Sequence, residues 1–347
     1  MRGCRIQVLT LVLVALVGAA TARAQTLAVQ GDHFAVDGQG KFLLFASYFD
    51  AMHASSQTLD TDFQYLREKG FDGIRIFPNW AQGCGARVAA PGFYTATGVV
   101  PASDPLWTRF IDILNRAGNN GLLVDVTLDA RSPGAQAAAP IVAERLAGGH
   151  RHVLFDVYNE WDTHISPPDA NRTLVKNLVA AVHSKDAARI TTASASLPSL
   201  GSIAAADRYD VVAHHDDRNP ASWFSSDAIL RQLNAIRTSL GQSVKPIYLQ
   251  EPMPFANYDA RPVAQGGCGN QQHDSAPGHA RSSAQSAKRH GAAAWTFHTR
   301  QSFNLGAASL KAILSLPAHA SPKAELEAVR GAVDAPGVTW GVTSPTR

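Results

Sequence analysis

The chain has 347 residues, of which 45% are hydrophobic and 17% are charged, and its formal net charge is +3. This length and apolar content allow one large domain with an extensive core. The basic residues are scattered and form no run of the kind that follows a phosphate backbone, so the sequence argues against a nucleic-acid partner.

The first 24 residues have the pattern of a secretory signal peptide. Arg2 and Arg5 precede an apolar stretch from Val8 to Val17, and the small-x-small triplet 22–24 follows. We expect cleavage after Ala24, a secreted or periplasmic location, and a single domain over residues 25–347. No later apolar stretch reaches about 18 residues, so no membrane association is expected after cleavage.

The mature chain opens with an alternating segment and continues as eight short apolar runs. Residues 27–41 contain Asp37-Gly38, which predicts a small β-hairpin closing the bottom of the fold. The predicted strands that follow are 42–49, 73–77, 122–128, 152–158, 189–195, 210–215, 246–250 and 292–298.

Helical periodicity separates most of these runs. Apolar residues recur at helical offsets in six segments, which are 61–70, 104–118, 170–184, 226–241, 279–291 and 309–316. Strands that are apolar on both faces and alternate with helices indicate a parallel sheet covered by helices. Eight such units predict an α/β (β/α)8 TIM barrel. A doubly wound sheet is the alternative, but no glycine-rich phosphate turn follows Phe49.

Two acids stand at the ends of predicted strands. Glu160 follows the fourth strand in "VYNEW", and Glu251 follows the seventh in "YLQEP". In a TIM barrel the C-terminal strand ends form the active-site face, so these carboxylates can meet there. Two facing carboxylates suit glycosidic cleavage, in which one acid is protonated and the other is ionised.

With these residues, nearly the whole mature chain resembles the clan A glycoside hydrolases, of the cellulase-like or family 5 type. The resemblance implies that Glu160 is the acid/base, that Glu251 is the nucleophile, and that no cofactor is needed. It also implies substrate-binding roles for four further residues, which are Arg75, Asn159, His215 and Trp295. His214 is the alternative to His215, because adjacent strand residues point to opposite faces.

The sequence departs from the family 5 pattern in places and leaves some alternatives open. Thr127 stands where the third strand often ends in His, and Asp217 replaces the usual Tyr after the sixth strand. The expected substrate is therefore a polysaccharide or oligosaccharide whose sugar the sequence does not specify. The resemblance implies a β-linkage and a double-displacement mechanism that retains configuration. A catalytically silent carbohydrate-binding barrel is the second reading.

Two cysteines remain after removal of the signal segment. Cys84 and Cys268 form an even pair in a chain expected to be exported, which predicts a disulfide, the alternative being two unpaired thiols. The histidine-containing segments 214–217 and 273–279 lack the spacing of a known metal motif, so no metal is expected.

Overall fold

The computed structural model describes most of the chain. The described residues are 24–49, 51–79, 92–128, 133–162, 168–196, 209–216, 225–241, 244–252, 278–298, 309–315 and 320–342. Among them, no helix is both long and apolar enough to cross a membrane.

Eight parallel strands form the central sheet and confirm the predicted barrel. In chain order they are β4 (Leu43–Ser47), β5 (Gly73–Ile76), β8 (Leu123–Thr127), β9 (Val153–Asp156), β10 (Thr191–Thr192), β11 (Val212–His215), β12 (Ile247–Glu251) and β13 (Ala294–Phe297). Their order in the sheet is β10-β9-β8-β5-β4-β13-β12-β11. A parallel bridge between Ala195 and His214 joins the two ends of the sheet, so the barrel is nearly closed.

A small antiparallel sheet precedes the barrel, as predicted. Its strands are β1 (Leu27–Gln30), β2 (His33–Val36) and β3 (Gln39–Gly40). A second small sheet pairs β6 (Tyr94–Thr95) with β7 (Gly98–Val99). The Phe34 ring packs edge-on against Tyr248 at 6.5 Å between centroids, so the first small sheet closes the bottom of the barrel.

The described helices cover the outside of the sheet. They are α1 (Ser56–Glu68), α2 (Pro105–Asn119), α3 (Pro133–Leu146), α4 (Pro168–Lys185), α5 (Ser226–Leu240), α6 (His279–Arg289), α7 (Leu310–Leu314) and α8 (Ala320–Val333). Capping residues explain several starts: Ser55, Asp104 and Ser225 each accept a hydrogen bond from a backbone N–H in the first turn. α3 and α8 were not among the predicted helices.

Strand alternation divides the barrel into layers. Leu44 and Ala46 of β4 point outward into the core beneath the helices, whereas Leu43 and Phe45 point inward. Apolar side chains fill the lower interior, and Tyr248 belongs to that layer. One step higher along the same strands, the inward positions become polar. The polar chemistry is therefore confined to the C-terminal end of the barrel, above an apolar floor.

His152, which precedes β9, is a buried neutral histidine away from the barrel mouth. Its Nε2 donates to the Leu114 carbonyl at 3.0 Å, while the buried Nδ1 has no hydrogen-bond partner. Burial, opposed by that hydrogen bond and reinforced by the charges of His150 and Arg189, lowers the pKa of His152 from 6.5 to about 4. Protonation is therefore easier in the unfolded chain than in the folded one.

We expect this difference to make stability depend on pH. Above pH 6.5 neither state carries the proton, but between about 6.5 and about 4 only the unfolded state gains it. The contribution of His152 to the free energy of unfolding should therefore fall by up to roughly 3 kcal/mol as the pH drops through this window, while the buried aspartates with raised pKa values contribute in the opposite direction. His152→Gln keeps a donor for Leu114 without titrating, so its free energy of unfolding, measured with urea, should become more favourable relative to wild type as the pH falls. His290→Gln, at the partly buried C-cap of α6, should keep most of the wild-type pH dependence. Equal pH dependence in wild type and His152→Gln would contradict the prediction.

Candidate active site

Arg75 lies at the centre of the polar layer. Its position in β5 points it into the barrel, and its side chain is fully buried. Nη1 donates to Glu251 Oε1 at 2.6 Å, Nη2 donates to Asn159 Oδ1 at 2.7 Å, and Nε donates to Thr127 Oγ1 at 2.8 Å. One guanidinium therefore links the ends of four strands or strand-end loops and fixes both Glu251 and Asn159.

Three carboxylates surround this single cation. Besides Glu251, Asp156 lies 3.5 Å from Nη2 and Asp125 lies 3.7 Å from Nε. Burial lowers the pKa of Arg75, but the three negative charges outweigh burial and raise it above its ordinary value. Burial raises the pKa of Asp125 to about 7, opposed by Arg75 and reinforced by Asp156. Burial likewise raises the pKa of Asp156 against the opposing charges of Arg75 and His215. The interior therefore favours holding a proton on the aspartate pair.

The two predicted catalytic acids meet at the mouth of the barrel. One oxygen of Glu160, one of Glu251 and one nitrogen of His215 all lie within 4.8 Å of one another. His215 Nδ1 is 3.1 Å from Glu160 Oε1 and 3.6 Å from Glu251 Oε1. The Glu160 side chain is 22% exposed and that of Glu251 is 7% exposed. Glu160 is thus the acid more open to an incoming ligand.

The backbone of Glu160 adopts a conformation that is uncommon for a residue other than glycine. Its φ is +49°, in the left-handed region, which costs free energy in a residue with a side chain. The Ser194 hydroxyl accepts a hydrogen bond from the Glu160 N–H at 3.0 Å, and the Ser194 carbonyl accepts from the next N–H, that of Trp161, at 3.2 Å. These contacts hold a strained turn that directs the Glu160 carboxyl toward His215.

Of the two adjacent histidines, His215 is the one that faces the acids. Its Nε2 donates to Gln250 Oε1 at 2.8 Å, and its Nδ1 faces Glu160. A register irregularity between His214 and His215 in the pairing of β11 with β12 accompanies this placement. His214 is also buried, with 1% exposure.

Several residues of the layer were not found from the sequence. His298 Nε2 lies 3.4 Å from Glu251 Oε2, and its Nδ1 is hydrogen-bonded to the Ser47 hydroxyl at 2.9 Å. Gln250 donates from Nε2 to Asp125 Oδ2 at 2.6 Å. The available signal was the period of two along each strand, because Gln250 shares parity with the inward-facing Tyr248, and His298 shares parity with Thr296.

Trp295, expected to contact substrate at the barrel mouth, lies elsewhere. The structure buries it completely on the outer face of β13, where Nε1 donates to Ser283 Oγ of α6 at 3.0 Å. Its ring packs near Phe297 at 6.4 Å between centroids. The reason is parity: odd-numbered residues of β13 face the helices, and the even-numbered Thr296 and His298 face inward. The prediction for Trp295 was therefore wrong, and His298 occupies the mouth position.

The two cysteines of the predicted disulfide lie outside the described residues. Both Cys84 and Cys268 fall in segments on which the structure gives no description, so the disulfide stays a prediction.

The group formed by Glu160, His215 and Glu251 offers ligand atoms of the kinds that bind a metal ion. Arg75 Nη1 already binds Glu251 Oε1 at 2.6 Å, so a metal cation there would lie beside a fixed guanidinium charge. Repulsion between the guanidinium and a metal cation bound to the same carboxylate disfavours metal binding. We therefore interpret the group as one suited to proton transfer and nucleophilic attack.

Comparison with known proteins identifies the fold but not a close relative. No protein-family model matches the chain, and no curated protein matches its sequence. A β-mannanase from the blue mussel Mytilus edulis aligns with a TM-score of 0.56 at 13% identity, over 92% of this chain and 100% of the mannanase. An endo-1,4-beta-mannanase from Eisenia fetida aligns with a TM-score of 0.54 at 15% identity, over 88% and 96%.

A third similar structure is GH5_18 from Streptomyces cattleya, solved in complex with GlcNAc. It aligns with a TM-score of 0.56 at 15% identity, over 84% of this chain and 80% of that one. Some similar structures are longer: this chain spans 66% of one glycoside hydrolase and 57% of a putative one from Bacteroides vulgatus. At such low identities the likeness concerns the fold alone. The chain therefore has the (β/α)8 fold found in clan A glycoside hydrolases of the family 5 type, as the sequence resemblance implied.

Proposed function

We propose that this protein is an O-glycoside hydrolase that retains configuration, with Glu160 as acid/base and Glu251 as nucleophile. The observation that carries the proposal is the meeting of oxygens from both acids within 4.8 Å, with Arg75 bound to Glu251. Retaining enzymes have carboxyl groups about 5–5.5 Å apart, and inverting enzymes about 6.5–9.5 Å, which leaves room for a water molecule. The 4.8 Å limit applies to one oxygen of each acid and not to the carboxyl centres, and it favours the shorter arrangement in which a carboxylate attacks directly.

The different surroundings of the two acids support different roles. Glu251 accepts from a guanidinium, which favours its ionised and nucleophilic form. In the first step its oxygen attacks the anomeric carbon while the bond to the leaving oxygen breaks, and Glu160 gives that oxygen its proton. In the second step Glu160 takes a proton from water, which attacks the anomeric carbon and releases Glu251.

Asn159 is suited to contact the sugar next to the reacting carbon. Its Oδ1 accepts from Arg75, so the orientation of the amide is fixed and its NH₂ group is the part that can donate to a ligand. A hydrogen bond to the sugar 2-hydroxyl that strengthens at the transition state is a known source of catalysis in glycosidases. We assign that role to Asn159.

For the substrate class we propose a β-linked oligosaccharide or polysaccharide, with β-mannosides first. Three of the similar structures are named as mannanases, and a GH5_18 structure was solved in complex with Manb1-4GlcNAc. We also propose that the protein is exported, on the evidence of the N-terminal sequence; the mass of the mature protein recovered from its host tests cleavage after Ala24.

A substrate panel tests the proposed activity. Purified protein is assayed with aryl β-glycosides of several sugars and with β-mannan, cellulose and xylan, and the product anomer is followed by NMR from the first minutes. We expect hydrolysis with the β-anomer formed first. Initial formation of the α-anomer would contradict retention. Binding to an immobilised glycan without cleavage of any substrate would favour a carbohydrate-binding barrel instead.

The placement of Trp295 gives a paired prediction. Trp295→Phe removes the donor to Ser283 and leaves space in the outer core, so the free energy of unfolding should fall by about 1–3 kcal/mol. KM should stay unchanged because the residue faces α6. His298→Ala, at the inward-facing position, should change KM or kcat instead. Urea unfolding and Michaelis kinetics on the best aryl glycoside measure both; a KM effect of Trp295→Phe alone would contradict this placement.

A further inference from the structure

Gln250 connects the buried aspartate pair to the proposed acid/base. It is fully buried and precedes Glu251 in β12. Its Nε2 donates to Asp125 Oδ2 at 2.6 Å, and its Oε1 accepts from His215 Nε2 at 2.8 Å. His215 in turn contacts Glu160 through Nδ1 at 3.1 Å. A continuous chain of polar contacts therefore runs from the barrel interior to the mouth.

The direction of the hydrogen bonds in this chain is set at Asp125. A carboxylate accepts hydrogen bonds, so the Gln250 group facing Asp125 Oδ2 is the NH₂ group. Gln250 contacts Oδ2 of Asp125, so this oxygen accepts from the amide whether or not the other oxygen carries a proton. The amide oxygen of Gln250 then faces His215 and requires a donor there. Neutral His215 must therefore carry its proton on Nε2.

This tautomer leaves the lone pair of His215 Nδ1 facing two carboxyl groups. Glu160 Oε1 is 3.1 Å away and Glu251 Oε1 is 3.6 Å away. A lone pair does not hydrogen-bond to an ionised carboxylate, so the shorter contact requires a proton between the two atoms. Arg75 favours ionised Glu251, which leaves Glu160 as the group that supplies this proton.

We infer that Gln250 is a positioning residue that fixes the Nε2–H tautomer of His215 and thereby holds Glu160 in its protonated, acid form. The inference rests on the proposed function for the role of Glu160, but the tautomer is a property of the protein alone. Asp125 takes part by fixing the orientation of the Gln250 amide.

NMR of wild-type protein labelled with ¹⁵N-histidine tests the tautomer directly. Long-range ¹H–¹⁵N spectra separate the tautomers, and a His215→Gln sample assigns the signals. We expect His215 as the neutral Nε2–H form at the pH of maximum activity, or at pH 7 if no activity is found. The Nδ1–H form, or an imidazolium at that pH, would overturn the inference without requiring any variant of Gln250.

Gln250→Met tests whether Gln250 is the residue that fixes the tautomer of His215. It removes both hydrogen bonds at nearly constant volume, so the His215 spectrum should lose the pure Nε2–H signature. The kcat/KM for glycosides with poor leaving groups should fall on the order of 10-fold to 100-fold, within the range of general acid catalysis. Dinitrophenyl glycosides need no acid and should lose little. Gln232→Met, which removes a buried glutamine bound instead to Asp216, is the matched control and should keep the wild-type tautomer and leaving-group dependence.

The outcomes separate this inference from the proposed function. An unchanged His215 tautomer in folded Gln250→Met, or an equal loss on good and poor leaving groups, would overturn the role of Gln250. Absence of glycoside hydrolysis in wild type would instead defeat the proposed function, while the NMR result would still decide the tautomer.

Discussion

Glu251→Ala is expected to abolish hydrolysis of every glycoside, whether its leaving group is good or poor. The covalent intermediate cannot form without this carboxylate, and loss of a nucleophile costs on the order of 10⁴-fold or more. Glu160→Ala should behave differently. With this variant, hydrolysis of glycosides that have poor leaving groups should be roughly 10²-fold to 10⁴-fold slower, because the general acid is missing. Dinitrophenyl glycosides should still react with Glu251, and the intermediate should then accumulate because no base activates water.

Added azide separates the two roles. Azide needs no general base, so it should restore turnover of Glu160→Ala and give a glycosyl azide with retained configuration. With Glu251→Ala, azide can enter only from the opposite face and gives the inverted product. A 2-fluoro glycoside should label Glu251, as read by peptide mass spectrometry. Labelling of Glu160, or inverted azide product from Glu160→Ala, would reverse the assignment.

The barrel and its acids could be predicted because they depend on features local to each strand. Buried parallel strands are short apolar runs, and a polar pair directly after such a run, as at Asn159-Glu160, marks the active-site end. Arg75 was conspicuous as a cation within an apolar strand, where an unpaired charge is costly. The structure supplies its partners at 2.6–2.8 Å.

The wrong and missed assignments arose where the role of a side chain depends on which face of its strand it occupies, or on partners from distant parts of the sequence. A shift of one residue moves a strand's side chains to the opposite face, and "AAAWTFH" did not reveal whether Trp295 or His298 points inward. Gln250 looked like an ordinary strand residue, because its partners Asp125 and His215 come from other strands. Helix α3 was missed because its alanines give little amphipathic pattern and Pro140 lies inside it.

Arg75→Met is expected to destabilise the protein strongly. It removes the cation that faces Glu251, Asp125 and Asp156, at a position with no exposure to solvent. Removal of one partner from a buried ion pair costs about 3–5 kcal/mol because the remaining charges lose compensation. We expect a loss of this size in the free energy of unfolding at pH 7, measured with urea. Activity should fall as well, because Glu251 and Asn159 lose the donor that orients them.

The pH dependence of that loss distinguishes charge compensation from simple packing. Without the cation, the pKa values of Asp125 and Asp156, already raised by burial, should rise further. The folded variant then holds protons that the unfolded chain releases above about pH 4, so its stability should decrease as pH rises from about 5 to about 7, more steeply than in wild type. Asp125→Asn added to Arg75→Met should reduce this slope by removing one of the uncompensated acids.

Arg189→Met provides the matched comparison. Arg189 is equally buried but lies at the other end of the barrel, where it donates to Asp186 and to backbone carbonyls such as those of His150 and Val153. Its loss should also destabilise the protein, yet kcat and KM of the folded fraction should stay at wild-type values. If Arg75→Met lost the same free energy at pH 5 and pH 7, the three carboxylates would not be the reason for its cost. Arg75 would then act by packing and hydrogen-bond geometry, and the charge-based account of Glu251 as the ionised nucleophile would lose its main support.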